Sequence, residues 1–209
     1  MTPNVDRSVS GQPPVQLILR DRQAGVVAAW AKAFDGVAGV RCAVGDIFGD
    51  DADAVVSPAN SFGFMDGGID LAYSERFGWG LQARLQRHIA EHHLGELPVG
   101  QAVIVETLDD RLPFLVSAPT MRIPMDVSAT PNAYLALRAV LIAVRTHNAT
   151  SSRRISRLLC PGLASAIGAM PFERVARQMR LAWDVVMAGK SWPPATGAAV
   201  LRAHHELLR

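Results

Sequence analysis

The stretch "VVSPANSFGFMDGGID", Val55 to Asp70, decides how the chain is read. It opens on apolar β-branched residues and closes on residues that suit the start of a helix. Between them lie Asn60, Asp66 and the pair Gly67-Gly68, with no Lys or Arg. A buried strand that breaks at Gly-Gly and restarts as a helix leaves uncapped N–H groups and a partial positive charge at the break. Such a junction holds anions, phosphate above all. The stretch therefore predicts a short helix from about Ile69 with a phosphate beside it.

Outward from this point, strands and helices alternate. "VQLILR" (15–20), "VRCAV" (40–44), "ADAVVS" (52–57), "QAVIVET" (101–107), "PFLVSA" (113–118) and "SRLLCPG" (156–162) read as strands. Val27, Trp30, Ala31 and Phe34 fall at helical spacing. A second helix covers about 80–94, with Leu81, Leu85 and Ile89 on one stripe and Gly95 as its stop. Residues 132–146 are apolar nearly all round, which predicts a helix sandwiched between other elements. Pro171 opens a helix that buries Phe172, Val175, Ala176, Met179, Trp183 and Val186, and Gly189 ends it. This order predicts a three-layer α/β domain around a mixed central sheet. The polar, Pro- and Gly-rich residues 1–14 are expected to be flexible. The tail from 190 is expected to carry a short helix over 195–208.

Composition narrows the class. Of 209 residues, 49% are hydrophobic and 19% charged, and the net charge is +2. That balance folds, and it is too weakly basic for a nucleic-acid footprint, so no nucleic-acid partner is expected. No apolar run is long enough to span a bilayer, so no membrane partner is expected either. The first residues carry no apolar leader pattern, and a cytoplasmic location is expected. Cys42 and Cys160 lie far apart in apolar surroundings and read as free thiols. His88, His92 and His93 share one helix without an evident third ligand, so no metal and no cofactor are expected. Trp79 reads as a packed loop aromatic. The two lysines, Lys32 and Lys190, lie outside every loop discussed below.

In sheets of this kind ligands bind at the carboxyl ends of strands. Three strand ends here lead into Gly-, Ala- and Ser-rich loops: "GDI" (45–47), the opening stretch, and "PGLASAIGAMP" (161–171). Two of these run into helix N-termini, near Ile69 and Pro171. Facing each other, they would grip a diphosphate without a cationic side chain. Asp46 suits an exocyclic amine such as adenine N6. Asn60 can donate to and accept from ribose hydroxyls. Asp70, in a first helical turn, suits the orienting or deprotonation of a water.

The joint pattern resembles the macrodomain family, the ADP-ribose-binding module. Asp46 to Asn60 spans 14 residues and Asn60 to Asp70 spans 10, as in that family's pattern, and the third loop aligns without a gap. The resemblance covers roughly residues 40–188 and implies a macrodomain over 15–189, before the tail of 190–209. The form "SPANSFGFMDGGID" is most similar to a bacterial and phage branch, sometimes labelled tail-type. The resemblance implies adenine contact at Asp46 and Ile47, distal-ribose contact at Asn60 and phosphate contact at Gly67, Gly68 and Ile69. It implies water positioning at Asp70, with Asn60 and Asp70 as catalytic residues, and a second phosphate loop of Ser165, Ala166, Ile167 and Gly168. Ala166 stands where the family usually has glycine, and Gly168 where an aromatic often stacks on the distal ribose. A lysine mechanism used by one branch has no matching residue. The implied ligand is ADP-ribose or an ADP-ribosylated protein. Three activities stay open: hydrolysis of ADP-ribosyl esters such as mono-ADP-ribosylated Asp/Glu or O-acetyl-ADP-ribose, non-catalytic reading of ADP-ribose, and an interaction module of a phage-derived assembly.

Overall fold

The computed structural model describes residues 15–209. The expectation for residues 1–14 lies outside the described residues. Six strands form one sheet: β1 (Gln16–Asp21), β2 (Val40–Val44), β3 (Ala54–Ser57), β4 (Val103–Glu106), β5 (Phe114–Ser117) and β6 (Arg157–Cys160), in the order β2-β1-β6-β3-β5-β4. Only β4 runs antiparallel to its neighbour. The sheet is mixed, as expected. Its helices are α1 (Ala24–Ala33), α2 (Gly68–Phe77), α3 (Gly80–His93), α4 (Asn132–Thr150), α5 (Phe172–Val186) and α6 (Gly197–Leu208).

Two apolar clusters cover the two faces of the sheet, and the strands divide between them residue by residue. Leu17 and Leu19 of β1, Ala54 and Val56 of β3, and Leu158 and Cys160 of β6 join the cluster of α1, α4 and α5. Ile18, Val55 and Leu159 point the other way, to Tyr73 of α2 and to Leu81, Leu85 and Ile89 of α3. Successive side chains alternate faces, so a strand covered on both sides reads as a continuous apolar run. That is why all of β3 is buried and why "AVVS" contains no outward polar residue.

The parallel strands all finish on one edge of the sheet, at Asp21, Val44, Ser57, Ser117 and Cys160. The loops that follow are thereby gathered on that edge. α4 runs past the predicted 146 to Thr150. The extension is held by Asn148, whose amide donates to the Ile155 carbonyl at 2.7 Å and accepts from the Ile155 N–H at 2.8 Å. Trp79 corrects an expectation: it is 55% exposed at the N-cap of α3, because the core-facing stripe of that helix begins only at Leu81. Cys160 is buried and Cys42 half-buried, both as free thiols.

Candidate functional site

A cleft runs along the carboxyl edge of the sheet as two joined chambers. The wider, about 740 Å³, lies between the ends of β1 and β2 and the side of α2. The smaller, about 160 Å³, lies beyond β3 and β5. Pro58, Gly68, Ile69, Gly162 and Ala166 line both, forming a waist.

The waist is a double set of backbone donors. On one side is the start of α2. Its N-cap, Gly67, provides no side-chain cap, and the first backbone bond runs from the Leu71 N–H to the Gly67 carbonyl at 3.2 Å. The N–H groups of Gly68, Ile69 and Asp70 therefore have no partner within the helix. Gly68 takes φ +57°, a conformation that favours glycine, and a Cβ placed there would meet nothing within 4 Å. On the other side lies the loop 162–170. Met170 donates to the Ala164 carbonyl at 3.0 Å and Ala169 to that of Ala166 at 2.9 Å. This curls the loop so that Ala166 lines both chambers, Ser165 the wider, and Ile167 and Gly168 the smaller. Among the described residues, the N–H groups of Ser165 to Gly168 find no acceptor. Gly168 has a steric reason: a Cβ would stand 2.6 Å from the Ala164 carbonyl and 2.8 Å from Val127. Pro171 and Phe172 line neither chamber, which corrects the expectation of a second helix terminus at the site. The second donor set belongs to the loop instead.

The wider chamber adds cationic side chains that sequence spacing does not place there. Its walls include three arginines, Arg20, Arg22 and Arg76. They come from the end of β1, the residue just after it and the last turn of α2, outside the loops that carry the pattern. Each is already matched to a carboxylate: Arg20 to Asp50 at 2.6 Å, Arg76 to Asp109 at 3.3 Å, and Arg22 to Asp46. Asp46 also accepts from the Phe48 N–H at 2.9 Å. The Phe48 N–H and the Arg22 guanidinium together hold its carboxyl below the usual range. Ile47 is buried beside it, and the Arg76 guanidinium lies over the Phe48 ring at 4.9 Å. Asp21, which the sequence reading passed over, ties the loops together. Its carboxylate accepts from the Gln23 and Gly162 N–H groups at 2.9 and 3.0 Å, and its carbonyl from the Gly45 N–H at 2.9 Å.

The smaller chamber is lined by Asn60, Phe64, Asp66, Asp70 and Thr120, with Ile167 at its mouth. The amide of Asn60 braces its own loop: it donates to the Phe64 carbonyl at 2.8 Å and accepts from the N–H groups of Phe62 and Phe64 at 3.0 and 3.3 Å. One N–H of that amide is left for a ligand. Asp70 is only 8% exposed and accepts from the Ser57 hydroxyl at 2.6 Å. Burial pushes its carboxyl up from 3.8 to about 7, against the opposing pull of the Ser57 bond. Ser117, the register partner of Ser57 on β5, adds a buried hydroxyl with no partner among the described residues. Every site residue named from the sequence lines one or both chambers; Ser57, Asp21 and the three arginines were not among them.

Asp70 has a consequence for stability. The folded chain holds this proton more tightly than the unfolded chain does. Its contribution is fully present below about pH 4, declines as pH rises, and is lost once pH passes about 7. The cost of ionising it in place is on the order of 4 kcal/mol. Asp70→Asn should therefore raise the melting temperature at pH 8 and change it little at pH 4. Thermal denaturation at the two pH values checks this; a variant less stable than wild type at pH 8 would contradict the burial argument.

Two backbone donor sets line one cleft at the carboxyl edge of an α/β sheet, the place and the kind of donor that suit an anionic ligand. Residues 56–179, more than half of the chain, match the Macro domain family, and the chain belongs to that family. A protein of Aeropyrum pernix is 32% identical over 157 residues, covering 72% of each chain. Among solved structures, the macrodomain of Mycobacterium tuberculosis DarG is 22% identical with a TM-score of 0.56, covering 68% of this chain and 87% of that one. The Oceanobacillus iheyensis macrodomain with ADP is 20% identical with a TM-score of 0.54, covering 66% and 72%. A variant of it with ADPR is 19% identical with a TM-score of 0.52, covering 66% and 74%. No helix among the described residues is long and apolar enough to cross a membrane.

Proposed function

We propose that this macrodomain binds ADP-ribose and hydrolyses ADP-ribosyl esters, either mono-ADP-ribosylated Asp/Glu on a protein or O-acetyl-ADP-ribose. The observation that carries this reading is the waist itself, where two uncapped backbone donor sets meet beside a buried carboxyl. In this reading the diphosphate sits at the waist, between the start of α2 and Ser165–Gly168. The adenine lies in the wider chamber, where Asp46 accepts from its N6 and Ile47 packs beside it. The distal ribose enters the smaller chamber against the free N–H of Asn60. A water held between Asp70 and a phosphate oxygen gives its proton to Asp70 and adds to the electrophile. At the anomeric carbon the C–O bond to the acyl group breaks and the carboxylate leaves with the bonding electrons. At the ester carbonyl the tetrahedral adduct collapses, and the ribose oxygen leaves with those electrons and takes the proton from Asp70. The electrophile is the anomeric carbon or the ester carbonyl, and ¹⁸O-water separates them: label enters the ribose in the first case and the released acid in the second. Release of ADP-ribose from an ester-linked substrate is the test of turnover.

A reader of ADP-ribose, without turnover, is the second reading. Two observations favour it: the amide of Asn60 is largely taken up by its own loop, and Gly168 puts no ring on its side of the smaller chamber. Tight ADP-ribose binding with no release from an ester would establish it. On either reading we place the chain in the cytoplasm. We take 15–189 as the macrodomain, with 190–209 appended to it, and assign it to the bacterial and phage tail-type branch on "SPANSFGFMDGGID".

Adenine selectivity gives a separate expectation. Asp46→Ala should weaken ADP-ribose binding by about 1–3 kcal/mol, the range for a hydrogen bond to a charged group. The loss is held down because in the wild type Arg22, an exposed pair with Asp46, already competes for that carboxylate. Equal affinities in titrations of variant and wild type would remove Asp46 from the site.

A further inference from the structure

The loop that carries Asp46 is wrapped around a side chain that approaches it from β1. Arg20, the second-last residue of that strand, is 17% exposed. Its Nε–H donates to the Asp46 carbonyl at 2.5 Å, and that carbonyl also accepts from the Gly49 N–H at 2.9 Å. Its Nη1 bonds one oxygen of Asp50 at 2.6 Å, while Arg41 bonds the other at 2.5 Å. The guanidinium is thus held at two of its three nitrogens, Nε and Nη1. It also fills the space beside two glycines. A Cβ on Gly45 would stand 2.7 Å from Nη2, and one on Gly49 would be closer still. The chain turns tightly from Gly45 to Gly49 because Arg20 occupies the inside of the turn, and "GDIFG" has glycine where that side chain passes. The main chain of Asp46 is thereby held at its carbonyl, and Asp46 stands beside Arg20 in the wall of the wider chamber.

We propose that Arg20 is the positioning residue for base selectivity: it acts through the main chain of Asp46 to hold that carboxylate where it meets the base. The proposal rests on the reading that the wider chamber takes the adenine of ADP-ribose. Arg20 also lines the wider chamber, but its Nε and Nη1 are taken up by the Asp46 carbonyl and by Asp50, so its effect on the base runs chiefly through the loop. Its loss should therefore affect recognition of the base and leave the diphosphate contacts at the waist intact. A merely structural residue would weaken all ligands together.

The experiment is a titration of wild type, Arg20→Gln and Gly49→Ala with ADP-ribose and with its hypoxanthine counterpart, inosine diphosphate ribose. The second ligand carries a carbonyl where adenine carries N6. Gly49→Ala keeps the charge of Arg20 and pushes the guanidinium from the other side, so the test survives if Arg20→Gln does not fold. Wild type is expected to prefer ADP-ribose by about tenfold or more, one hydrogen bond's worth of discrimination. In both variants the preference should fall below about threefold, with the affinity for the hypoxanthine ligand changed by no more than about threefold. If wild type binds both ligands equally, the adenine reading fails and this proposal falls with it. If wild type discriminates and the variants keep the full preference, or lose both ligands in parallel, the adenine reading stands and the role of Arg20 is overturned.

Discussion

Asp70→Ala should cut kcat on an ester-linked ADP-ribosyl substrate by roughly 10²–10⁴, the range for loss of a general base. The affinity for ADP-ribose should stay within about tenfold of wild type or rise, because the change removes a carboxylate beside a dianionic ligand. The split follows from the position of the group. Asp70 lies under the smaller chamber, bonded to Ser57, with a carboxyl pushed up to about 7. A base must be ionised to take a proton, so activity should rise with pH through about 7, while stability falls over the same window. Asn60→Ala should behave differently. It removes a ribose contact made in ground and transition states alike, and it releases the loop that the amide braces, so affinity and rate should fall together. Steady-state kinetics with a parallel titration of ADP-ribose separates the two patterns. An Asp70→Ala enzyme with full activity would show that something else positions the water, and Asp66, on the lip of the same chamber, is then the residue to change.

Gly68→Val should abolish ADP-ribose binding, a loss of about a hundredfold or more. Two effects act at this one position. The φ of +57° is costly for any β-branched residue. The direction in which its Cβ would point is empty because it is the space at the waist, and a valine there fills what the diphosphate needs. Gly67 is the control. Its φ is −147°, extended backbone that any residue adopts, so Gly67→Ala should fold normally and lose less. Tight binding by a folded Gly68→Val protein would contradict a backbone-held diphosphate.

Much of this was legible in the sequence because the physics that fixes it is local or periodic. β3 announces itself as a short apolar, β-branched run, the pattern of a strand covered on both faces, and all four of its residues are buried. The break at Gly67-Gly68 and the left-handed backbone it contains are written in residue type. What escaped depends on elements brought together from far along the chain. Arg20 and Arg22 precede the "GDI" loop by more than twenty residues, and their place in the cleft depends on β1 pairing with β2 in register. Arg76 sits two turns into α2, on a side that sequence spacing does not mark as facing a cavity. Asp21 reaches Gly162 across 141 residues of sequence. Pro171 looked like a site-forming helix start because it follows the glycine-rich loop directly. The curl of that loop through Ala164 and Ala169, both at positive φ, carries the chain away from the cleft first. Trp79 illustrates the limit of composition: an aromatic between two helices was read as packed, yet the stripe that selects the buried face begins two residues later.

The measurement that bears most directly on the whole account is calorimetric titration of the protein with ADP-ribose, with ribose-5-phosphate and adenosine as partial ligands. Saturable one-to-one binding of ADP-ribose is expected, far tighter than that of either part, because the diphosphate at the waist joins the two chambers. Absence of saturable ADP-ribose binding up to about 1 mM, or an affinity no greater than that of adenosine alone, would contradict it.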